Sequence, residues 1–453
     1  MNNSRIGGLI VATVIFVFNS LPAEADETSA TNAPKIIWER DTLTGDWGGL
    51  RGKLSDKGFD LGLNYTGEFL ANTRGGLERA GFYQQLLKTL LDFDLEKMAG
   101  WHGARFHASS LWLWGTRNGD IAGLTGSAFS DPSNISGYDT YRLYELWLEQ
   151  GFLDGKFSVR GGQIALDEEF ICSDYACVFI NGAHGWPVFM SATIPDGGEA
   201  YPVAGTGARL DFKPSEKWEL LAAVVDGDVR EQATDNKYGT HFGFDAHDGV
   251  LSIVEMIYRL NQKPGDTGLP GTYKLGGWYH SARFDDLRFD TKGVSLHSPA
   301  SNGTPASHTG DGGVYFNIDQ MLWRKHTGSD EGMAAYVRFA PWLPDDRNPL
   351  DFYAAGGLSF KGPLPGRGAD IFAIGASYAR VSDSRRVAQA DANFFGATSA
   401  PLPDYELGVE ATYQIALAPW WKLQPDFQYI SHPGGSGAIA DAVVVGVRTQ
   451  ISF

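Results

Sequence analysis

The chain has 453 residues, a formal net charge of −17, 57 glycines and 13% aromatic residues. A chain this acidic has no basic surface to neutralise phosphates, so we predict that nucleic acid is not a partner. The same charge argues against a channel dedicated to anions. Many glycines and aromatic residues favour strands and turns over helices.

The first residues predict an exported protein. Arg5 precedes an apolar run over residues 6–18, and Ala23-Glu24-Ala25 fits the small-x-small pattern that signal peptidase cleaves. We predict a signal peptide over residues 1–25, because the run is short for the ~20 residues of the alternative, an anchor helix. No later apolar stretch approaches ~20 residues, which excludes a helical membrane protein.

Strict alternation of apolar and polar residues predicts many strands. In residues 60–70, Leu61, Leu63 and Tyr65 alternate with polar residues, so one face is apolar and the other polar. The last three predicted strands repeat the pattern. We predict sixteen strands, an even number of ~10-residue segments typical of a bacterial single-chain barrel, at 60–70, 84–95, 103–114, 140–150, 156–165, 206–213, 217–226, 250–261, 272–284, 312–324, 332–342, 351–361, 369–381, 404–416, 421–431 and 441–453.

The lengths of the connectors alternate between short and long. Membrane barrels place short turns in the periplasm and long loops outside, whereas a soluble sandwich gives no reason for this alternation. Tryptophans near predicted strand ends predict interfacial girdles, at Trp101, Trp112, Trp114, Trp218, Trp342, Trp420 and Trp421. The predicted fold is all-β, a transmembrane antiparallel β-barrel over residues 60–453, with long extracellular loops such as 115–139, 166–205, 227–249, 285–311 and 382–403.

Residues 26–59 are predicted to form an N-terminal periplasmic segment. Leu50, Leu54 and Lys57 recur at helical spacing, and Gly58 can end the resulting short helix. We interpret Asp46 and Trp47, which precede it, as residues that tie the segment to the barrel rather than as cargo ligands.

Two long stretches resemble a known family. The opening, Leu43 to Arg51 (LTGDWGGLR) with KGFD at 57–60 and YTGE at 65–68, resembles the start of the carbohydrate-selective porin family (OprB-type). The ending, with PWW at 419–421, LQPD at 423–426 and HPGG at 432–435, is similar to the last strands of the same family. The resemblance implies a sixteen-stranded outer-membrane barrel that passes monosaccharides, glucose above all.

The longest connector, 166–205, is predicted to fold into the lumen and narrow it; the alternative is an external surface loop. Charged groups across the constriction would hydrogen-bond sugar hydroxyls, and aromatic faces would contact the sugar ring. The candidate constriction residues are Arg105, Glu145, Trp147, Glu149, Arg160, Asp167, Glu168, Glu169, Trp186, Glu255 and Arg259.

The only two cysteines, Cys172 and Cys177, lie in this connector. In an oxidising periplasm they predict a disulfide that stiffens the loop. A metal site is the weaker alternative, because only His184 is close in sequence. We predict neither a metal nor a cofactor.

These patterns predict an outer-membrane porin for the passive diffusion of small sugars. The alternatives are a non-selective diffusion porin, a barrel without conductance, and a barrel enzyme, which is disfavoured because Gly-x-Ser-x-Gly and His-Glu-x-x-His motifs are absent from the sequence. The expected partners are small carbohydrates, outer-membrane lipid and lipopolysaccharide. The ending at Phe453 also resembles the signal read by the barrel-assembly machinery, and a homotrimer is left open.

Overall fold

The structure is a computed structural model that describes residues 36–230, 235–245, 247–263 and 265–453. The predicted signal peptide and the first part of the predicted periplasmic segment lie outside these residues. Among the residues described, no helix has the length and apolar character needed to cross a membrane.

Sixteen antiparallel strands form a closed barrel. Each strand pairs with its neighbours in sequence, and the first also pairs with the last. The strands are β1 (Phe59–Arg74), β2 (Gly81–Asp94), β3 (Ala104–Gly115), β4 (Thr140–Phe152), β5 (Phe157–Ile164), β6 (Gly205–Ser215), β7 (Trp218–Asp226), β8 (Val250–Leu260), β9 (Gly271–Asp290), β10 (Pro305–Arg324), β11 (Gly332–Ala340), β12 (Leu350–Lys361), β13 (Ile371–Val381), β14 (Tyr405–Ala418), β15 (Trp421–Ser431) and β16 (Ala442–Ser452). All sixteen predicted strands are confirmed.

The largest difference concerns the β9–β10 hairpin. Both strands extend beyond their predicted ends, so the connector is 291–304 and the prediction of a loop over 285–311 was wrong. The extension carries Asp285, Asp286, Ser307 and His308, whose polar sequence lacks the apolar alternation of a membrane segment.

The two faces of the barrel have opposite polarity. The outer face exposes large apolar side chains, including Leu148, Leu210, Val254, Val337, Ile374 and Val447. The inner face buries charged ones, including Glu68, Arg142, Lys274, Arg338, Glu410 and Arg448. A soluble protein has the reverse arrangement, so this pattern places the outer face in lipid.

The predicted N-terminal helix is confirmed as α1 (Leu50–Asp56). Its segment packs against the seam where the barrel closes, at the end with short turns, which is the periplasmic end in such barrels. Leu43 N donates to Ser452 O at 2.8 Å, and an Arg51 guanidinium nitrogen donates to Phe453 O at 2.8 Å. Gly58, where the chain turns from α1 into β1, has a φ of +89°, a conformation that favours glycine.

Asp46 and Trp47 organise this segment. The Asp46 carboxylate accepts from Gly52 N at 3.2 Å, and the guanidinium of Arg51 lies 4.5 Å from the centre of the Trp47 ring. These contacts support the structural interpretation of both residues.

Five of the seven tryptophans predicted for the interfacial girdles are exposed, while Trp421 is half-buried and Trp420 is buried. Trp101, Trp112, Trp114, Trp218 and Trp342 are exposed as expected of interfacial residues. Trp420 is only 7% exposed, because Trp38 of the N-terminal segment stacks on it at 6.0 Å and its indole nitrogen donates to Ile37 O at 2.7 Å.

Short helices occupy the connectors. They are α2 (Leu95–Ala99), α3 (Ala122–Thr125), α4 (Val188–Ser191) and α5 (Asp383–Phe394). Residues 165–204, between β5 and β6, form the inner loop. Its apolar side chains Phe179, Phe189 and Met190 are buried in one cluster with Tyr315 and Tyr353 of the barrel wall. The prediction that this connector folds into the lumen is therefore confirmed.

Candidate constriction site

The inner loop is anchored to the far wall of the barrel by charged side chains. Glu255 of β8 accepts from Ile171 N at 2.8 Å and from Tyr315 OH at 2.9 Å, and its second oxygen lies 3.2 Å from Lys274 Nζ. Glu255 is completely buried. The prediction that Glu255 faces the open lumen was therefore wrong. Glu255 anchors the loop instead.

Two further wall residues bind the loop backbone. Arg338 of β11 donates to Ile171 O at 2.6 Å and to Gly185 O at 2.7 Å. Glu410 of β14 accepts from Ile180 N at 2.7 Å and from Asn181 N at 2.9 Å. Because β11 and β14 lie six and seven strands around the barrel from β5, these contacts stretch the loop across the lumen and hold it there.

Where the inner loop leaves β5, four charged side chains form a closed cycle. Arg209 contacts Glu149 at 2.8 Å and Glu169 at 2.6 Å, and Arg160 contacts Glu149 at 3.0 Å and also pairs with Glu169. Glu149, Arg160 and Arg209 belong to β4, β5 and β6, and Glu169 belongs to the loop. Both carboxylates are thus held between two guanidiniums, which is a strong and directional arrangement.

Two more acidic loop residues extend this cluster. Glu168 pairs with Lys88 of β2 at 2.5 Å. Asp167 accepts from Tyr144 OH at 3.2 Å and from Tyr201 N at 2.9 Å. Burial, together with the neighbouring charge of Glu168, raises the pKa of Asp167 to about 7.

Trp147 of β4 is part of the same wall. Its ring stacks on His107 of β3 at 4.8 Å, and the Arg160 guanidinium from β5 lies 3.7 Å from its centre. Its indole nitrogen donates to Glu145 at 3.3 Å. Because neighbours from both adjacent strands cover this buried ring, Trp147 holds Arg160 in place rather than offering a free face to a sugar.

The structure brings together eight of the eleven predicted residues: Arg105, Glu145, Trp147, Glu149, Arg160, Asp167, Glu168 and Glu169. Arg105 joins them through its strand position opposite Glu149. The other three lie elsewhere. Glu255 anchors the loop, Arg259 pairs with Glu219, and Trp186 donates to Gly197 O at 3.0 Å within the loop.

Three charged or titratable residues of the site were missed: Lys88, His107 and Arg209. His107 contacts Asp92 at 2.6 Å as well as Trp147. Strand parity gives a signal for Arg209, which lies between outward apolar residues, and for His107, which is two residues from Arg105. Lys88 lies on the same strand face as the apolar Leu86 and Leu90, so strand parity gives no signal that Lys88 faces the lumen.

The predicted disulfide is not formed. Cys172 and Cys177 are free thiols. Their sulfurs donate to different carbonyls, Cys172 to Asp167 O at 3.2 Å and Cys177 to Asp174 O at 2.9 Å. The turn between them is already held by Asp319 of β10, which accepts from Asp174 N at 3.1 Å.

A closed sixteen-stranded barrel with an apolar outer face and a loop across its lumen defines an outer-membrane porin. A family model described as "Carbohydrate-selective porin, OprB family" matches residues 78–453. The chain therefore belongs to the OprB family of carbohydrate-selective porins and is a multi-pass protein of a Gram-negative outer membrane.

Individual proteins agree with this assignment. Porin B of Pseudomonas aeruginosa is 28% identical over 446 residues, covering 93% of this chain and 92% of the relative. A structure of Pseudomonas putida OprB at high pH has a TM-score of 0.84 and 25% identity, covering 92% of this chain and 100% of its own. The low-pH structure of that protein, at 20% identity and a TM-score of 0.55 with 92% and 99% coverage, shares the fold.

Proposed function

We propose that the constriction between the inner loop and strands β2–β6 selects the sugars that this porin passes by passive diffusion. The observation that carries the proposal is the cycle of Glu149, Arg160, Glu169 and Arg209. A sugar hydroxyl both donates and accepts hydrogen bonds. Guanidiniums supply donors and carboxylates supply acceptors, so a wall that alternates the two matches a polyol along its length.

The pairing of these charges also favours weak binding. Two guanidiniums and two carboxylates have no net charge, so a neutral solute meets polar groups without a strong field acting on it. Each charged group already has a protein partner. A passing hydroxyl therefore shares the group with that partner and does not fill an unsatisfied hydrogen-bonding position. Binding of this kind lets the solute leave again, which conduction requires.

A channel role without catalysis is part of the proposal. Membership of the porin family supports it, as does the use of the charged side chains in holding the loop and lining the constriction. Recognition of Phe453 by the barrel-assembly machinery and assembly into a homotrimer remain predictions. Phe453 N donates to Leu63 O at 2.9 Å, so the C-terminus lies in the closing seam.

Single-channel recording in planar bilayers tests the selection of sugars. We expect added glucose to reduce the conductance steps in a concentration-dependent way. Arg160→Ala should shift the half-blocking concentration by at least about threefold, because it removes donors from the cycle. The variant should still fold, because Arg209 still pairs with both Glu149 and Glu169.

Arg367→Ala is the matched control, since Arg367 pairs with Asp370 in the short turn between β12 and β13. It should leave the block by glucose unchanged. Steps that no sugar affects would instead support a non-selective diffusion porin. A folded protein that gives no steps would contradict the channel role.

A further inference from the structure

The external rim of β1, β15 and β16 contains a basic groove that the constriction does not involve. It has a volume of about 510 Å³ and is lined by Arg74, Arg79, Tyr429, Asp441 and Val443, with Gly75 and Ala440. Both arginines are exposed. This groove lies on the outside of the barrel, as the strand register shows.

A β-bulge turns Arg74 outward. On β1, Asn72 pairs with Val444 of β16, and the next paired residue is Arg74, opposite Val443. Directly opposite residues point to the same side of a sheet. Asn72 and Val444 are buried on the inner face. The one extra residue therefore brings Arg74 to the outer face with Val443, and Tyr429 of β15 is the next partner in that row.

The row lies at the height of lipid headgroups. Phe69, five residues before Arg74 on β1, is exposed on the outer face and pairs with Tyr83, whose ring lies 6.2 Å from that of Trp114. Exposed aromatic rings of this kind mark the membrane interface. Arg74 lies beyond them toward the long loops, which face outside, and Arg79 follows in the connector to β2.

Two guanidiniums and one carboxylate line the groove, so its net charge is positive. Within the described parts of the chain, the side chains of Arg74 and Arg79 have neither a hydrogen bond nor an ion pair, whereas the nearby Arg117 holds Glu78 at 2.8 Å. Asp441 is engaged elsewhere, since it accepts from Tyr429 OH, from Ser431 Oγ at 3.3 Å and from His432 N at 3.1 Å. In a chain with a net charge of −17, two free guanidiniums in one groove are a distinctive feature.

We propose that this groove binds a phosphate group of lipopolysaccharide in the outer leaflet. Arginine presents paired N–H donors that match phosphate oxygens, and two such groups can share one phosphate. Tyr429 and Val443, on the same outer row, would contact the first carbons of an acyl chain. The site fixes one lipid at the β1–β16 seam, where the two ends of the barrel meet.

The test is the stabilisation of the detergent-solubilised porin by lipopolysaccharide. We expect added lipopolysaccharide to raise the midpoint of thermal unfolding of the wild type, and dephosphorylated lipid to raise it much less. The variant Arg74→Ala/Arg79→Ala should need at least about tenfold more lipopolysaccharide for the same rise, because it lacks the charged donors. Arg117→Ala is the control, since its guanidinium is already paired, and it should behave as the wild type.

An unchanged response of the double variant would overturn the proposal. Equal stabilisation by inorganic phosphate alone would overturn the assignment to a lipid. If the double variant does not fold, the single variants Arg74→Gln and Arg79→Gln give the same comparison. The block by glucose is recorded on the same proteins, and it should not change, which separates this site from the constriction.

Discussion

At the scale of single residues, Glu199 of the inner loop is a carboxyl group enclosed by protein. It is 1% exposed, and neither carboxylate oxygen has a hydrogen-bond partner among the described residues. Burial, with smaller contributions from the charges of Asp226 and Asp228, raises its pKa from 4.5 to about 8. This raised pKa favours the neutral form of Glu199 at pH 7.

This raised pKa makes stability depend on pH. Between pH 4.5 and about 8 the folded protein keeps a proton on Glu199 that the unfolded chain releases, so the contribution of this group is present at low pH and is lost as the pH rises. Glu199→Gln cannot ionise, so it should escape most of this loss, which amounts to roughly 4–5 kcal/mol by pH 8 at about 1.4 kcal/mol per pH unit. Thermal unfolding in detergent from pH 4.5 to 9 checks this, and parallel curves for the two proteins would contradict it.

The two free thiols give a second prediction at this scale. Protein denatured without reductant should take up an alkyl group at both Cys172 and Cys177, because no disulfide protects them. In the folded protein Cys172 should be alkylated slowly, since burial raises the pKa of its thiol and little thiolate forms, whereas the exposed Cys177 should react faster. Mass spectrometry before and after reduction provides the measurement, and a mass increase seen only after reduction would establish the disulfide instead.

At the scale of elements, the sequence predicted the presence of all sixteen strands, but it predicted their ends and the contacts of their side chains only in part. Lipid outside the barrel and water inside it require apolar and polar residues to alternate along each strand. This alternation is visible in the sequence, as in residues 60–70. The extension of the β9–β10 hairpin was not predicted, because it lies beyond the lipid and does not require alternating apolar and polar residues. Arg160 and Glu149 were correctly placed on the inner face of the barrel, because they occupy the polar positions of their alternating strands.

Contacts between elements that are far apart in the sequence were not predicted. The two predicted disulfide partners instead donate to different backbone carbonyls, and Asp319, 145 residues away in sequence from Asp174, also holds the turn between them. Glu255 was placed on the correct face of its strand, yet parity does not reveal that a loop covers it. Long-range packing decides both cases, and a single sequence carries no local signal for it.

The N-terminal segment gives a prediction for an element. Arg51 of α1 donates to Phe453 O and, at 2.9 Å, to Thr42 Oγ1, so it joins the segment to the closing seam. Arg51→Ala should lower the free energy of unfolding by roughly 1–2 kcal/mol, because both hydrogen bonds come from a charged donor. Lys53→Ala, an exposed change on the same helix, is the control.

Heat-dependent mobility in gel electrophoresis measures this effect. The Arg51→Ala barrel should unfold at a lower temperature than the wild type and the control. Its block by glucose should be unchanged, because the described part of the segment lies at the periplasmic end and forms its hydrogen bonds to the barrel at the closing seam. Equal unfolding temperatures would show that the segment does not stabilise the closed barrel.

At the scale of the whole molecule, charge is distributed unevenly between the chain and its constriction. The net charge is −17, but around the constriction Lys88, Arg160 and Arg209 each pair with carboxylates. In the proposed function, this pairing presents donors and acceptors without an unpaired cation, which suits uncharged sugars. The surplus of acidic residues elsewhere should still give small ions a field that favours cations.

The reversal potential in a KCl gradient tests this distribution, and the Lys88–Glu168 pair supplies matched variants. We expect the wild type to prefer cations. Lys88→Gln removes a positive charge and should strengthen that preference, whereas Glu168→Gln removes its partner and should weaken it, with Glu78→Gln at the external rim as a control of equal charge change. Opposite shifts require that ions pass the pair within about a Debye length, roughly 10 Å at 0.1 M salt. Shifts of the same sign, or none beyond the control, would place the conducting path away from this wall and remove the physical basis for sugar selection there.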